Sequence, residues 1–333
     1  MRARSLSWLA VAIAFLVFLD VAAPRMLNPY YVTILSRIGI AVIAAVSLQL
    51  VNGFTGQFSI GHAGFMAIGA YASAALSVFA GAALLSSAAE VVPLALARLA
   101  YFPIALVFGG LVAAVAGIVV AVPALRLRGD YLAIATLGAG EIIRIAILNI
   151  DAVGGARGFS VASPDYPTID LRYESLAGVF GVALITIAAI SRLVYAGGGL
   201  AFRAVREDET AAESIGIATT RVKVEAFLIA SFFAGVAGAL FAHSEGYIHT
   251  NSFSFVRSFE LVAFVVLGGL GSLSGAILAA AALTALPEVL RGLGEWRMVL
   301  YSLLLIATML LRPQGLLGQR ELWPISRLKG GGR

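Results

Sequence analysis

The chain has 333 residues, of which 60% are hydrophobic and only 12% charged, with a formal net charge of +5 and no cysteine. Soluble domains carry about 25% charged residues, so this composition excludes an ordinary soluble protein and indicates a polytopic helical membrane protein. The basic residues lie mainly at segment ends, where they set orientation in the membrane, so the positive charge does not indicate nucleic-acid binding. The lack of cysteine excludes disulfides and thiolate metal sites, and we expect no metal centre.

The predicted fold is all-α, with about eight to ten membrane spans. Residues 6–19 are either an uncleaved first span or a signal peptide cut near Ala23, and Pro24 just after that position favours the uncleaved span, with a cytoplasmic amino terminus. We predict that residues 81–102 form a connector. The other predicted spans are apolar stretches bounded by polar residues, at 30–51, 65–80, 103–122, 131–150, 176–195, 222–242 and 296–311.

Residues 52–64 are too polar and too rich in glycine for a helix that faces lipid. Irregular backbone at membrane depth is tolerated only where protein or a cavity covers it, so we predict a broken or re-entrant element. Such an element either lines a solute path or packs closely against other helices through its small residues. The path candidates in this stretch are Gln57, Ser59, Gly61, His62 and Gly64.

A second glycine break, at residues 268–275, divides residues 259–290 into what we predict to be two short helices. Its path candidates are Gly269, Gly271 and Ser272. Interrupted segments in corresponding halves are typical of a duplicated transporter fold, so the two breaks suggest an internal pseudo-repeat. Counting this stretch as two passes gives ten spans, and an even number places both termini, including the basic tail, in the cytoplasm.

One predicted span carries a pair of opposite charges, because Glu141 and Arg144 lie three residues apart within residues 131–150. Ionisable groups inside a membrane usually pair with each other, so we predict an intramembrane ion pair. This pair either holds the helix to a neighbour or acts as a gating contact. The structural role is favoured, since paired charges in a helix bundle are often structural.

The most highly charged stretch between two apolar spans is residues 198–217. Arg203 and Glu207 have i,i+4 spacing, and Arg206 and Glu209 have i,i+3 spacing, which suits a helix. Gly216 is a plausible C-terminal stop. We therefore predict one short helix that lies outside the bilayer and connects two spans.

The predicted helix also has an apolar edge, formed by Phe202, Val205, Ala212 and Ile215. A charged segment of this kind is either a solvated connector or a docking site, and the mixed charges with an apolar edge favour docking. The candidate contact residues are Arg203, Arg206, Glu207, Asp208, Glu209, Glu213 and Gly216.

Neither of the two lysines, Lys223 and Lys329, lies in a Gly-Lys-Ser/Thr sequence. The chain therefore cannot form a Walker A loop, and we expect it to bind no cofactor of its own. An ion-coupled carrier that works alone is less favoured, because most acidic residues lie near predicted span ends. An intramembrane hydrolase would need Ser59, Ser272 or Ser274 within reach of His62 or His243, and no nucleophile turn or fixed spacing supports it.

Several sequence blocks, in order from about residue 50 to 317, resemble the permease subunits of branched-chain amino acid ABC importers. Two of them, LRGDYLA and RPQGL, resemble the LivM type rather than its LivH-type partner. The blocks are GQFSIGHAGF at 56–65, LRGDYLA at 127–133, GGARG at 154–158, the charged segment at 203–216, GGLGS at 268–272 and RPQGL at 312–316.

The resemblance implies a non-enzymatic transport subunit of the bacterial inner membrane, with a permease domain at residues 1–317 and a basic cytoplasmic tail at 318–333. It implies four kinds of contact: a LivH-type second permease, two cytoplasmic ATPases that bind the ATP, a periplasmic binding protein and membrane lipid. The solute would be a branched-chain or related apolar amino acid. Urea and amides stay open, because related permeases carry them and the binding protein largely sets specificity.

In such importers a cytoplasmic helix of the permease docks in a groove on the ATPase, and residues 203–216 are at the matching position. The general importer motif is Glu-Ala-Ala followed, after three residues, by Gly. Here Thr210-Ala211-Ala212 precedes Gly216 at that spacing, so the glutamate is displaced to position 209 or 213. The resemblance therefore places the coupling segment but not its individual contacts.

Overall fold

The computed structural model describes residues 20, 25–125, 127, 129–173, 175–318 and 320–322. The first predicted span, residues 6–19, lies outside these ranges. Within them, eight helical segments are long and apolar enough to cross a membrane, and a shorter apolar helix follows. The prediction of a polytopic helical membrane protein is confirmed.

Twelve α-helices, numbered here in chain order, occur in the described part of the chain. They are α1 Pro29–Gln49, α2 His62–Leu76, α3 Ala82–Ala89, α4 Leu94–Ala124, α5 Asp130–Leu148, α6 Leu176–Tyr195, α7 Gly199–Glu207, α8 Glu209–Ser214, α9 Thr219–Glu245, α10 Phe255–Gly268, α11 Leu273–Val289 and α12 Trp296–Leu311. Two π-helical turns, Leu50–Phe54 and Ser77–Gly81, continue α1 and α2.

Short elements join the helices at their ends. A two-residue antiparallel ribbon pairs β1, Phe159–Ser160, with β2, Tyr247–Ile248. The 3-10 turns are Asp151–Val153, Gly155–Arg157, Thr250–Phe253 and Leu290–Leu293. We call the end of the bundle that carries α7 and α8 the charged end, and the opposite end, with β1 and β2, the ribbon end.

Local sequence signals fix several helix limits. The side chain of Asn28 accepts a hydrogen bond from the Tyr30 amide, and Ser175 does the same for Gly178, so both cap free N–H groups at helix starts. The predicted spans 176–195 and 296–311 agree with α6 and α12 at both limits.

The centre of the bundle is α1, which is buried continuously from Gly39 to Gln49. It packs against α6, α9, α10 and α11. Three other helices, α2, α4 and α9, cross closely through glycines: a Cβ atom on Gly69 would overlap the backbone of Gly235, and one on Gly109 would lie 2.7 Å from the Gly69 carbonyl oxygen. Small residues permit such crossings in lipid, where packing must hold the helices together.

The prediction of a connector at residues 81–102 was wrong. Helix α2 continues through its π-helical turn and α3 to Ala89, and α4 begins at Leu94. Only residues 90–93 therefore separate α3 from α4. Pro103, which suggested a helix start, lies inside α4. Membrane helices accommodate internal proline because neighbouring groups satisfy the backbone that it leaves unpaired.

The predicted division of residues 259–290 is confirmed, since α10 and α11 are separate helices joined by residues 269–272. Gly269 and Gly271 have φ values of +111° and +94°, which residues with a Cβ atom rarely adopt. The glycines therefore let the chain reverse between two packed helices.

Candidate functional site

The charged segment is two short helices rather than the single helix that we predicted. The break is at Asp208, whose backbone is extended with φ −158° and ψ 111°. Its side chain accepts hydrogen bonds from the amides of Thr210 and Ala211 at 2.9 and 3.0 Å. Aspartate is a strong N-cap, so it starts a new helix here in preference to continuing α7.

This break also changes the ion pairs. Arg203 and Arg206 form none with Glu207 and Glu209, although the i,i+4 and i,i+3 spacings suggested them. Instead, Glu209 pairs with Lys223 of α9 at 2.5 Å. The Glu213 carboxylate accepts a hydrogen bond from Thr219 at 2.6 Å. Both contacts fasten α8 to the start of α9.

Most of the predicted apolar edge is buried against other parts of this chain. Phe202, Val205 and Ala212 are buried, whereas Ile215 is 75% exposed. Leu200, at the start of α7, is also exposed. The exposed polar side chains of this segment are Arg203, Glu207, Asp208, Thr210, Glu213 and Ser214, and Gly216 is exposed after them. The segment therefore exposes its charges and two apolar side chains, while its buried apolar residues attach it to the rest of the chain.

Arg203 connects the charged segment to α6. Its guanidinium group donates to the Val194 carbonyl oxygen at 3.1 Å and lies 5.5 Å from the centre of the Tyr195 ring. Tyr195 in turn donates to Glu321 at 2.7 Å. These contacts join α7, the end of α6 and the segment that follows α12.

Arg206 points inward. Its side chain lies against two glycines with positive φ: a Cβ atom on Gly56 would be 3.3 Å from its Cγ, and one on Gly271 would overlap its Nη1. A side chain at position 271 would therefore displace the guanidinium group, and one at position 56 would require the arginine to shift slightly. Arg206 is half-buried and lines a large cavity at the charged end.

The two glycine-broken elements meet beneath this arginine. The side-chain amide of Gln49 donates to the carbonyl oxygens of Gly269 and Ser272 at 2.8 and 3.2 Å. A Cβ atom on Gly53 would lie 2.8 Å from the Gly271 nitrogen. Backbone of both breaks is thus covered by protein, as the sequence predicted for irregular chain at membrane depth.

The polar path candidates of the first break are buried and largely satisfied. The backbone amide and carbonyl of Ser59 exchange two hydrogen bonds of 3.1 Å with the Asn52 side chain. His62 bonds to Ser47 at 2.8 Å. Gln57 donates to Thr55 at 3.0 Å, and its own Oε1 is buried without a partner in the described part of the chain. Their role in a solute path stays a prediction.

Gly61 and Gly64 serve close packing. A Cβ atom on Gly61 would overlap the Thr136 carbonyl oxygen, and one on Gly64 would lie 2.7 Å from the Gly140 Cα. Ser272 caps α11, because its Oγ accepts from the Gly275 amide at 3.0 Å. The predicted break at 52–64 therefore rests on α5 as well as on the α10–α11 turn.

The predicted ion pair between Glu141 and Arg144 is present in α5, with an N–O distance of 2.7 Å and both side chains about three-quarters covered. The pair lies within one helix. A second pair of the same spacing, Arg257 with Glu260 at 2.6 Å, lies in α10. Intrahelical pairing lets these charges stay in a span without a partner from a neighbouring helix.

The serine–histidine contacts do not resemble a hydrolytic site. His62 bonds to Ser47, and His243 bonds to Ser77 at 2.9 Å, rather than to Ser59, Ser272 or Ser274. Ser47 and Ser77 are fully buried, so no substrate reaches them. Both pairs join neighbouring helices. Among the described residues, no three His, Asp or Glu side chains are arranged to hold a metal ion.

Sequence reasoning missed Tyr195, Lys223 and Glu321. Two of them carried a signal: Lys223 is the single lysine before the tail, and Glu321 is the single acid after Glu295. An isolated charge of either sign in such a chain predicts a specific partner.

Comparison with known proteins gives a consistent result. The family model described as branched-chain amino acid transport system, permease component, matches residues 30–311. The LivM permease protein of Salmonella typhimurium is 39% identical over 249 residues, 67% of this chain and 58% of LivM. The LivM protein of Escherichia coli gives the same values. LivH of Escherichia coli is 32% identical over 149 residues, 44% of this chain and 48% of LivH.

No solved structure matches the chain. The matched region spans less than two thirds of each LivM protein. The resemblance inferred from the motifs is confirmed, and it covers α1 through α12.

Proposed function

We propose that this chain, which belongs to the family of branched-chain amino acid transport permeases, is one membrane subunit of an ATP-driven importer for branched-chain or related apolar amino acids. The family match over residues 30–311 is the observation that carries the proposal. The chain would pair with a LivH-type permease, since LivM and LivH relatives both match it. Two ATPases and a periplasmic binding protein would complete the importer.

The α7–α8 pair is the proposed contact with an ATPase. Arg203, Glu207 and Glu213 are exposed there, beside the exposed side chain of Ile215. Mixed charges around an apolar side chain suit an interface with a polar rim. Arg206 and Glu209 face inward instead, so they would hold the contact surface in place.

Movement at this surface would reach the membrane through α6 and α9. The α7–α8 pair connects the end of α6 to the start of α9, and the Glu209–Lys223 ion pair stiffens the second joint. Closure of the ATPases would therefore pull on two spans together. Such coupling requires contacts that differ between the two states of the importer.

The proposed solute route lies between the two permeases, near the glycine-broken elements. An amino acid with an apolar side chain needs few charges along its way, in agreement with the 12% charged content. The ribbon-end loops would face the binding protein. In this orientation both termini and the charged end would lie in the cytoplasm, and the permease domain would end near residue 317.

Uptake in vesicles tests the proposal. The chain, reconstituted with its second permease, ATPases and binding protein, should accumulate leucine only when ATP is supplied inside. Uptake by the chain alone, without ATP, would instead identify an ion-coupled carrier.

Charge reversal tests the ATPase contact. Glu207→Arg, on the exposed face of α7, should reduce both ATPase co-purification and uptake. Glu295→Arg makes the same change at the ribbon end and should leave ATPase co-purification unchanged. Unchanged co-purification in both variants would show that α7 is not the contact.

A further inference from the structure

Two adjoining cavities lie at the charged end, where α10, α11 and α12 meet residues 312–318 and 320. The larger has a volume of about 940 Å³, and the smaller, of about 430 Å³, runs between α11 and α12. The larger combines apolar side chains with three cationic ones: Val266, Leu270 and Leu311 with Arg206, Arg312 and Arg320. The lining of the larger cavity is therefore partly apolar and partly strongly basic.

None of the three arginines forms a salt bridge within the part of the chain that the structure describes. Its six salt bridges involve other residues. Arg206 moreover packs against Gly56 and Gly271. Arg312 and Arg320 are exposed and Arg206 is half-buried, so an anion in the cavity could reach all three, and it would offset the repulsion between like charges.

The smaller cavity is an apolar groove that opens from the larger one. Leu311, Arg312, Gly315 and Leu316 line both. The remaining walls are mostly apolar side chains of α11 and α12, such as Ala282 and Leu304. No residue of α12 is buried, so this helix packs loosely against α11 and leaves the groove unfilled.

We propose that an anionic phospholipid binds here, with its phosphate headgroup among Arg206, Arg312 and Arg320 and an acyl chain in the α11–α12 groove. The planar guanidinium group matches phosphate geometry, and basic pockets between membrane helices are typical headgroup sites. An inorganic phosphate or an acidic protein segment would match the arginines but not the groove. The site is independent of the proposed transport function.

Native mass spectrometry of the assembled, delipidated complex tests this, with phosphatidylglycerol, phosphatidylcholine and inorganic phosphate as separate probes. The complex should retain phosphatidylglycerol in preference to phosphatidylcholine. Arg312→Gln and Arg320→Gln should each weaken retention about fivefold. Arg297→Gln removes the same charge from the other end of α12 and should have no effect.

The groove has its own test. Ala282→Phe should fill it and reduce phosphatidylglycerol retention with every arginine intact, whereas Leu303→Phe, on the exposed side of α12, should not. If the Ala282→Phe complex does not assemble, the arginine variants still test whether the lipid headgroup binds at this site. Equal retention of both lipids, unchanged retention in Arg312→Gln with Arg320→Gln, or binding of inorganic phosphate alone would overturn the proposal.

Discussion

The hydroxyl group of Tyr195 donates a hydrogen bond of 2.7 Å to Oε1 of Glu321, although the two residues are 126 positions apart. The same carboxylate accepts from the amides of Leu273 and Ser274 at 2.6 and 2.9 Å, and from the Ser274 hydroxyl. A negative charge is favourable at the start of α11, where free N–H groups point outward. The end of α6, the start of α11 and the segment after α12 therefore meet at one side chain.

Glu321→Gln should destabilise the protein, because the neutral amide offers one acceptor oxygen in place of two. We expect a loss of about 1–3 kcal/mol in the free energy of unfolding. Tyr195→Phe removes a single donor and should cost about 1 kcal/mol. Thermal unfolding in detergent measures both. The double variant should lose less than the sum, since one bond is common to both changes, and full additivity would contradict the contact.

Asp208 should matter as a helix cap rather than as a charge. Asp208→Ala removes both cap hydrogen bonds and should cost about 1 kcal/mol, fray α8 and reduce ATPase co-purification. Asp208→Asn keeps a capping oxygen and should behave like the parent protein. If the asparagine variant loses co-purification as well, the carboxylate itself contacts the ATPase.

The Glu209–Lys223 ion pair should contribute more than the Arg221–Glu225 pair nearby. The Lys223 side chain is 10% exposed, whereas that of Arg221 is 80% exposed. Glu209→Ala leaves a nearly buried ammonium without its partner, and we expect a cost of about 1–3 kcal/mol. Glu225→Ala should cost at most about 1 kcal/mol. Unfolding of the two variants, compared at low and high salt, measures the difference.

The glycine crossings can be tested with two matched helical positions. Gly69→Ala places a methyl group into the backbone of Gly235, and such overpacking should cost about 1–3 kcal/mol. Gly138, in α5, has open space around it. Gly138→Ala should be neutral or stabilising by up to about 1 kcal/mol, because glycine loses more freedom on folding. Similar behaviour of both variants would mean that the crossing is looser than described.

A charge swap separates the two roles considered for the ion pair in α5. Glu141→Gln should lower stability, since Arg144 loses its partner at 2.7 Å. The double variant Glu141→Arg with Arg144→Glu keeps an intrahelical pair and should restore both stability and leucine uptake. Restored stability without uptake would point to gating.

Helix positions were predictable where composition changes sharply. Residues 176–195 and 296–311 are apolar runs with polar limits, and the structure agrees at both limits. The prediction of a connector at 81–102 failed because it took Gly81 and Pro103 as helix limits. Neither residue ends a helix where neighbouring helices cover the backbone. Sequence alone does not show that cover.

The charged segment was located correctly but divided incorrectly. Its spacing matched a continuous helix, and local pairs such as Arg206 with Glu209 agreed with it. The Asp208 cap and the contact with Lys223, fourteen positions beyond Glu209, overrode these weak local preferences. Long-range partners of single charges are the information that periodicity lacks.

The ribbon between β1 and β2 links the segment before α6 to the segment after α9. β1 precedes α6 and β2 follows α9, and Tyr247 also donates to the Arg157 carbonyl oxygen at 2.5 Å. The α7–α8 pair joins the other ends of the same two spans. Helices α6 and α9 are therefore connected at both ends of the bundle. A shift that the ATPases impose at the charged end would therefore be passed to the ribbon end through two linked spans rather than through one.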